Sequence, residues 1–395
     1  MRLALLTHEP FYPPSGGGSA EAVYLVEEMV RRGHEVHLFC PAFPDHRGVA
    51  EQFSISIHPF TGWQMGRYTN LRSLKYLAYP RALRKMVLKA ATEIEFDAIF
   101  SQHAISAVAA GKLKSNLNLP VVMNFLDYLT GFMESWPRWI MPRVILNRLM
   151  RFELNLPIRY NADAILTVST ELAKRFIDNG YPESGIQTIH YGYDAKLFPF
   201  SSTSPTLTPT VVMHGSFDTH HLGPLAIEAI TQITQAKPET HFLFIGKETA
   251  ALANLTKRVR RSVRSANIQC TGFADYNLIA DGLGQAHVGI IPYESSVGTH
   301  SAFVAKMVEY AAAGLPVVST PLSGVMAFFK NEASICFSKF DATQFASDVL
   351  SLLDTPPPES DRQRLAKRVA VELDWKVICR KAVDRLEAEI GRAHV

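Results

Sequence analysis

Lys306 and Glu309 are the residues whose type and spacing most invite chemistry. They interrupt an otherwise apolar run, Phe303 to Ala313, and lie three positions apart. On a helix that spacing places both on one face. They form either a surface ion pair, or a cation and a carboxylate turned toward a ligand. Around them Phe303, Met307 and Tyr310, with Val304, Val308 and Ala311 one position over, recur at 3- and 4-residue intervals. That is the period of a helix with a buried stripe. Gly314 stands where a helix end takes a left-handed residue, and Leu315–Ser319 reads as a short buried strand. Upstream, Val288–Pro292 reads as another buried strand, followed by the polar turn Gly298-Thr299-His300-Ser301. Strand, loop, helix, strand is the crossover unit of a parallel sheet. Its loop lies where a strand ends and helix amides point outward, a place that suits a phosphate-bearing ligand.

The first half of the chain offers a second set. Arg2–Thr7 reads as a strand, a loop carries Gly16, Gly17 and Gly18, a helix runs from about Ala20 to Arg32, and His34–Cys40 is the next strand. This is a Rossmann-like opening without the G-x-G-x-x-G spacing. The triple glycine is either a flexible turn or a place where backbone approaches a ligand closely. Phe96–Ser101 reads as a strand running into Gln102-His103, and Leu119–Leu126 as one ending at Asp127. Both put a titratable group at a strand's carboxyl end, where α/β proteins build sites. A lone histidine is nevertheless more often a satisfied structural residue.

The run from Lys306 to Val318 fits K-x-x-E-Y-x-A-x-G-x-P-V-V and resembles the nucleotide-sugar motif of glycosyltransferase family 4. The glycine loop followed by Glu21 and R-G-H-E-V, and the segment Gly215–Ala229, resemble that family too. The resemblance covers nearly the whole chain. It implies an α/β protein of the GT-B fold, with two Rossmann-like α/β/α domains facing each other across a cleft. The expected division is 1–199, an acceptor-side domain; 200–209, a Ser/Thr/Pro-rich linker; 210–373, a nucleotide-sugar domain; and 374–395, a helix crossing back to the first domain. It also implies that Glu309 accepts hydrogen bonds from the donor ribose, and that His103 and Asp127 lie beside the transferred sugar. Gly16, Gly17, Gly18, Gly215, Lys247, Gly298, Thr299, His300, Ser301 and Lys306 would line the donor.

Three positions depart from the family pattern. The arginine and lysine that clamp the diphosphate correspond to Ser216 and His221, and a first sugar-binding glutamate corresponds to Ser301. The diphosphate would then rely on amides around Gly298–Ser301, Lys306, Lys247, and His220 or His221, a histidine serving only if protonated. No D-x-D occurs, so a carboxylate-held metal is not expected, and no cofactor beyond the nucleotide-sugar co-substrate is implied. By resemblance the reaction is a retaining sugar transfer. The alternatives are a scaffold that has kept the fold and lost the chemistry, or a sugar-nucleotide epimerase of the same fold.

Composition bounds the rest. At 395 residues, 47% hydrophobic and 19% charged, the chain suits two globular domains. A net charge of +3 implies no nucleic-acid partner. Cys40, Cys270, Cys336 and Cys379 show no metal-ligand spacing and read as buried thiols of a cytoplasmic protein. The first residues read as a strand and not a signal peptide, and no apolar run reaches membrane-spanning length. From Gly62 to Lys89 seven basic residues and no acid are interleaved with Trp63, Tyr68, Tyr76 and Tyr79. Residues 136–143, W-P-R-W-I-M-P-R, have the same character. Each is either a solvated face or a patch that meets an anionic membrane surface or acceptor.

Overall fold

The computed structural model describes residues 1–14, 17–62, 75–201, 207–274 and 276–393. Gly16, the basic and aromatic residues of 63–74, and residues 202–206 of the expected linker lie outside them.

The chain forms two compact units. The first comprises Met1–Thr130, Pro142–Tyr191 and Trp375–Val395; the second comprises Gly131–Met141 and Gly192–Asp374. The boundary thus falls earlier than 199, and Gly131–Met141 belongs with the second unit.

The first unit holds seven strands: β1 Arg2–Leu6, β2 Glu35–Pro41, β3 Ser56–Phe60, β4 Ala98–Gln102, β5 Val121–Phe125, β6 Ala164–Thr167 and β7 Ile186–Thr188. They pair in parallel in the order β3-β2-β1-β4-β5-β6-β7. The strand direction of travel reverses between β1 and β4, which makes the carboxyl ends of those two strands the switch point of the sheet. Leu3–Leu6 and Ala98–Phe100 are fully buried, the continuous apolar run that helices on both faces demand. The helix His46–Phe53 and β3 escape the sequence reading, because β3 is five residues with a proline at Pro59 and little alternation.

The helix Trp375–Ala393 belongs to this first unit and packs on Gly17–Arg31. Ile378, Cys379, Ala382, Val383, Leu386 and Ile390 are all buried. Each fully buried large aliphatic side chain contributes about 1.5–3 kcal/mol. Trp375 stacks on Tyr24 with ring centroids 5.8 Å apart, and Arg32 reaches Glu387 at 2.6 Å and Asp384 at 2.7 Å.

The second unit holds β8 Thr210–His214, β9 His241–Ile245, β10 Asn267–Cys270, β11 Val288–Ile291, β12 Val317–Ser319 and β13 Ile335–Phe337. These are also all parallel, in the order β10-β9-β8-β11-β12-β13. Its switch point lies between β8 and β11. Cys40 and Cys379 are buried, whereas Cys270 and Cys336 are only half-buried. Among the described residues no helix is long and apolar enough to cross a membrane.

Candidate donor site of the second unit

β8 ends at His214, and Gly215 turns the chain away from the sheet with φ +95°, a left-handed conformation that strains any other L-residue. A Cβ at Gly215 would stand 3.2 Å from the Lys306 Nζ. The ammonium therefore lies directly beneath an exposed backbone turn. Lys306 itself is 8% exposed and donates to the Tyr293 hydroxyl at 3.1 Å, just beyond β11. One buried cation sits at the switch point, between the ends of β8 and β11.

The helix Ala305–Ala313 places Lys306 and Glu309 on a common face, and both are buried. The Glu309 Oε2 lies 2.8 Å from the His214 Nε2. Tyr310, fully buried, receives a hydrogen bond from the His214 amide at 3.2 Å and packs edge-on against its ring. Gly289 in β11 is required here, since a Cβ would press into the Tyr310 ring. The surface ion pair is thus excluded: Lys306 and Glu309 are separate buried groups with separate partners. Sequence reasoning missed His214, Tyr293 and Tyr310. Only the position of His214 before a strand-ending glycine could have signalled it.

Several expected donor contacts have other work. The turn Gly298–Ser301 is a helical turn, Val297–Ser301, capped by Ser296 and Thr299 in a reciprocal box. The Thr299 hydroxyl bonds back to Ser296 and donates to the Glu294 carbonyl at 2.8 Å. The Ser301 hydroxyl donates to the Val297 carbonyl at 2.7 Å. His300 is held at 3.1 Å from Ser323 and 3.2 Å from Ser295. The Val297 amide, one residue before that stretch, donates to the Glu134 carboxylate at 2.7 Å. Gly298 is needed because the backbone of Gly131 and Phe132 packs on it. This turn is built to hold Gly131–Met141.

His221 also departs from expectation. It is buried, and desolvation, followed by the nearby His220 and Lys306, holds it well below the usual imidazole range. It is neutral at pH 7 and cannot replace a lysine. Ser216 is half-buried beside it, and Lys247 is exposed just past the end of β9.

The first unit carries its own cluster at the ends of β1, β4 and β5. His103 opens the helix His103–Leu117 with φ +63°, a left-handed turn that costs a non-glycine residue about 1 kcal/mol. Its ring meets His8 edge-on at 4.9 Å. Gly17 and Gly18 belong to the first helical turn, not to a loop, and a Cβ on Gly18 would stand 2.5 Å from the His103 Nε2. Asp127 lies half-buried two residues past β5. Beneath them, fully buried Glu21 accepts from Gln102 at 2.7 Å and from Asn124 at 3.0 Å. Burial raises its pKa to about 7, against the lowering effect of the Asn124 and Gln102 hydrogen bonds.

A raised carboxyl pKa keeps the proton on the folded state while the unfolded chain loses it. Stability therefore falls as pH rises from about 4.5 to about 7 and is level above that. For Glu21 the fall amounts to about 3 kcal/mol. Glu153, buried and also raised to about 7, adds a similar slope. Glu21→Gln should remove only its own share, so thermal melts should show the variant gaining on the parent between pH 5 and 7.5. A constant difference across that range would refute the assignment.

Comparison with known proteins agrees with this architecture. Residues 15–197 match the model for Glycosyltransferase Family 4, and residues 208–355 the model for Glycosyl transferases group 1. TuaH of Bacillus subtilis, assigned as a teichuronic acid biosynthesis glycosyltransferase, is 26% identical over 172 residues, a match spanning 42% of this chain and 42% of that protein. Anabaena HepE, solved with UDP and glucose, superposes with a TM-score of 0.73 at 17% identity, covering 98% of this chain and 99% of that one. Sucrose-phosphate synthase from Thermosynechococcus elongatus gives a TM-score of 0.79 at 16% identity, with 99% of each chain covered. Two family models on the two halves, and two doubly wound parallel sheets, lead to one conclusion: the chain belongs to glycosyltransferase family 4 and has the GT-B fold.

Proposed function

We propose that the protein transfers a sugar from a nucleoside-diphosphate sugar to an acceptor, with retention of configuration. The observation that carries this is the buried Lys306 ammonium beneath the Gly215 turn, three residues from the buried Glu309 carboxylate. A buried cation beside exposed backbone at a switch point is built for an anion that docks there. In this reading Lys306 and the Gly215 turn receive the diphosphate and stabilise it as it leaves, and Glu309 accepts from the ribose hydroxyls. The donor's own phosphate oxygen takes the acceptor proton, so the chain need supply no strong base. Anabaena HepE was solved with UDP and with UDP-glucose, which makes uridine the first nucleotide to try. Thermal shifts with UDP, GDP, ADP and TDP test the reading. One of them should stabilise the protein, and no shift from folded protein would favour the scaffold alternative.

The acceptor is proposed to lie at an anionic lipid surface. In the helix Lys75–Ala90, Leu77, Arg81, Lys85 and Lys89 are exposed at four-residue intervals, while Tyr79, Leu83 and Val87 are buried. The helix Arg143–Leu154 exposes Val144, Ile145 and Phe152 among Arg143, Arg148 and Arg151. In the second unit Trp139 is 83% exposed beside Arg138. A basic residue near an anionic membrane contributes about 1 kcal/mol. Replacing Arg81, Arg84 and Lys85 by serine should therefore cut partitioning onto phosphatidylglycerol vesicles roughly 100-fold. Equal sedimentation of parent and variant would sink the proposal.

A further inference from the structure

We propose that Glu153 ties the loop carrying Asp127 to the lipid-facing helix Arg143–Leu154, so that docking on an anionic membrane orders this loop. This coupling rests on the lipid-surface reading of the acceptor and not on the donor site. The helix has two opposite faces. Leu146 and Glu153, seven positions apart and so on one side, are its only buried residues. Val144, Ile145, Arg148, Arg151 and Phe152 follow the helical period along the other side and are exposed. Glu153 is the only acid in the helix, against Arg143, Arg148 and Arg151. The outer face therefore offers an anionic surface basic and apolar groups and no negative charge.

The inner face grips the chain just past β5. The Glu153 carboxylate, 2% exposed, accepts from the Leu129 amide at 3.0 Å, the Thr130 amide at 2.8 Å and the Thr130 hydroxyl at 2.6 Å. One turn earlier, the Met150 carbonyl accepts from the buried Tyr128 hydroxyl at 3.1 Å. The three residues that follow Asp127 are thus all bonded to one turn of one helix. Among the described residues no basic side chain pairs with Glu153. A buried carboxyl without a cation costs stability, and a leucine would seat the helix at less cost. What the carboxyl supplies, and a leucine cannot, is a fixed position for the loop. Glu153 acts on Asp127 through that loop and is a positioning residue.

Lipid enters because the helix is weakly held in water. It has twelve residues, short for a helix without packing, and of its apolar side chains only Leu146 is buried. Val144, Ile145 and Phe152 lie on one side only while the helix is formed. A membrane that buries them binds the formed helix in preference to the opened one, and so favours the state in which Glu153 holds the loop. The loop is then set where a lipid-borne acceptor is met.

The test is hydrogen exchange on the full-length chain, read by mass spectrometry over peptides covering Asp127–Thr130, with and without phosphatidylglycerol vesicles. Vesicles should slow exchange in this segment of the parent at least about 5-fold, and phosphatidylcholine vesicles should not. Glu153→Gln turns an amide NH₂ toward one of the two backbone donors. Its segment should exchange at least about 10-fold faster than the parent's in solution. It keeps the outer face, so it should still sediment with vesicles but show no slowing. Val144→Ser with Ile145→Ser should exchange like the parent in solution and lose the vesicle response. Sedimentation of the parent without slowed exchange overturns the coupling and leaves the lipid-surface reading standing; no sedimentation overturns both. Equal slowing in parent and Glu153→Gln removes Glu153 from the coupling. Faster exchange of Glu153→Gln throughout β1, β4 and β5 would mark a general loss of fold and overturn the positioning role.

Discussion

A Lys306→Met chain is expected to bind its nucleoside diphosphate between about 10- and 150-fold more weakly than the parent. That range is what a hydrogen bond to a charged group contributes, about 1.5–3 kcal/mol. Methionine keeps the length of the stem and its packing beside Tyr293, so the loss isolates the charge. The protein without ligand should be as stable as the parent or more so. Lys306 is buried, and removing a buried charge removes its desolvation cost. Calorimetry with UDP, alongside a thermal melt without ligand, reads both quantities. Equal UDP affinity in parent and variant would remove Lys306 from the donor site. Arginine is not a conservative replacement here, because a planar fork does not reproduce the point charge that the ammonium sets between the Gly215 turn and the Tyr293 hydroxyl.

The second large effect concerns Glu309. If its carboxylate accepts from the ribose, the parent should prefer UDP over 2′- or 3′-deoxy-UDP by about 10-fold for at least one of the two. Glu309→Ala should bind UDP at least about 10-fold more weakly and lose that preference, because the group that distinguishes the two ligands is gone. The comparison matters because His214 loses its carboxylate partner in the variant, and a distorted site would weaken all ligands alike. A preference retained in Glu309→Ala would overturn the ribose assignment while leaving Lys306 untouched. Glu309→Gln, which keeps one acceptor oxygen near His214, should fall between the two.

Much of this was legible in the sequence where a single element carries the signal. The stripe Phe303, Met307 and Tyr310 gives the helix, Gly314 its left-handed end at φ +77°, and the three-residue spacing of 306 and 309 the face they share. The continuous apolar strands before Gly215 and after Gly314 gave the second sheet. What stayed hidden depends on which donor meets which acceptor. Ser296, Thr299 and Ser301 look in sequence like a polar loop awaiting a ligand, yet in three dimensions their hydroxyls close a helical turn on itself. Glu134, more than 160 residues away, takes the Val297 amide that opens the same helical turn. His221 fits a basic position by alignment and fails it by burial. Glu21, Gln102 and Asn124 are separated in sequence by two strands and join only when β4 and β5 lie side by side.

The helix Trp375–Ala393 completes the first unit, although Gly192–Asp374 has by then formed a different one. The second unit is thus an insertion within the first. During synthesis it can close its sheet while the first still lacks the apolar face that covers Gly17–Arg31. The expected order is then the reverse of the usual one, in which the amino-terminal domain folds first as the chain emerges. A stalled nascent chain ending near residue 374 should present a protease-resistant second half and a protease-sensitive first half. A deletion that trims this helix would then leave the second unit standing and disable the unit that carries His103.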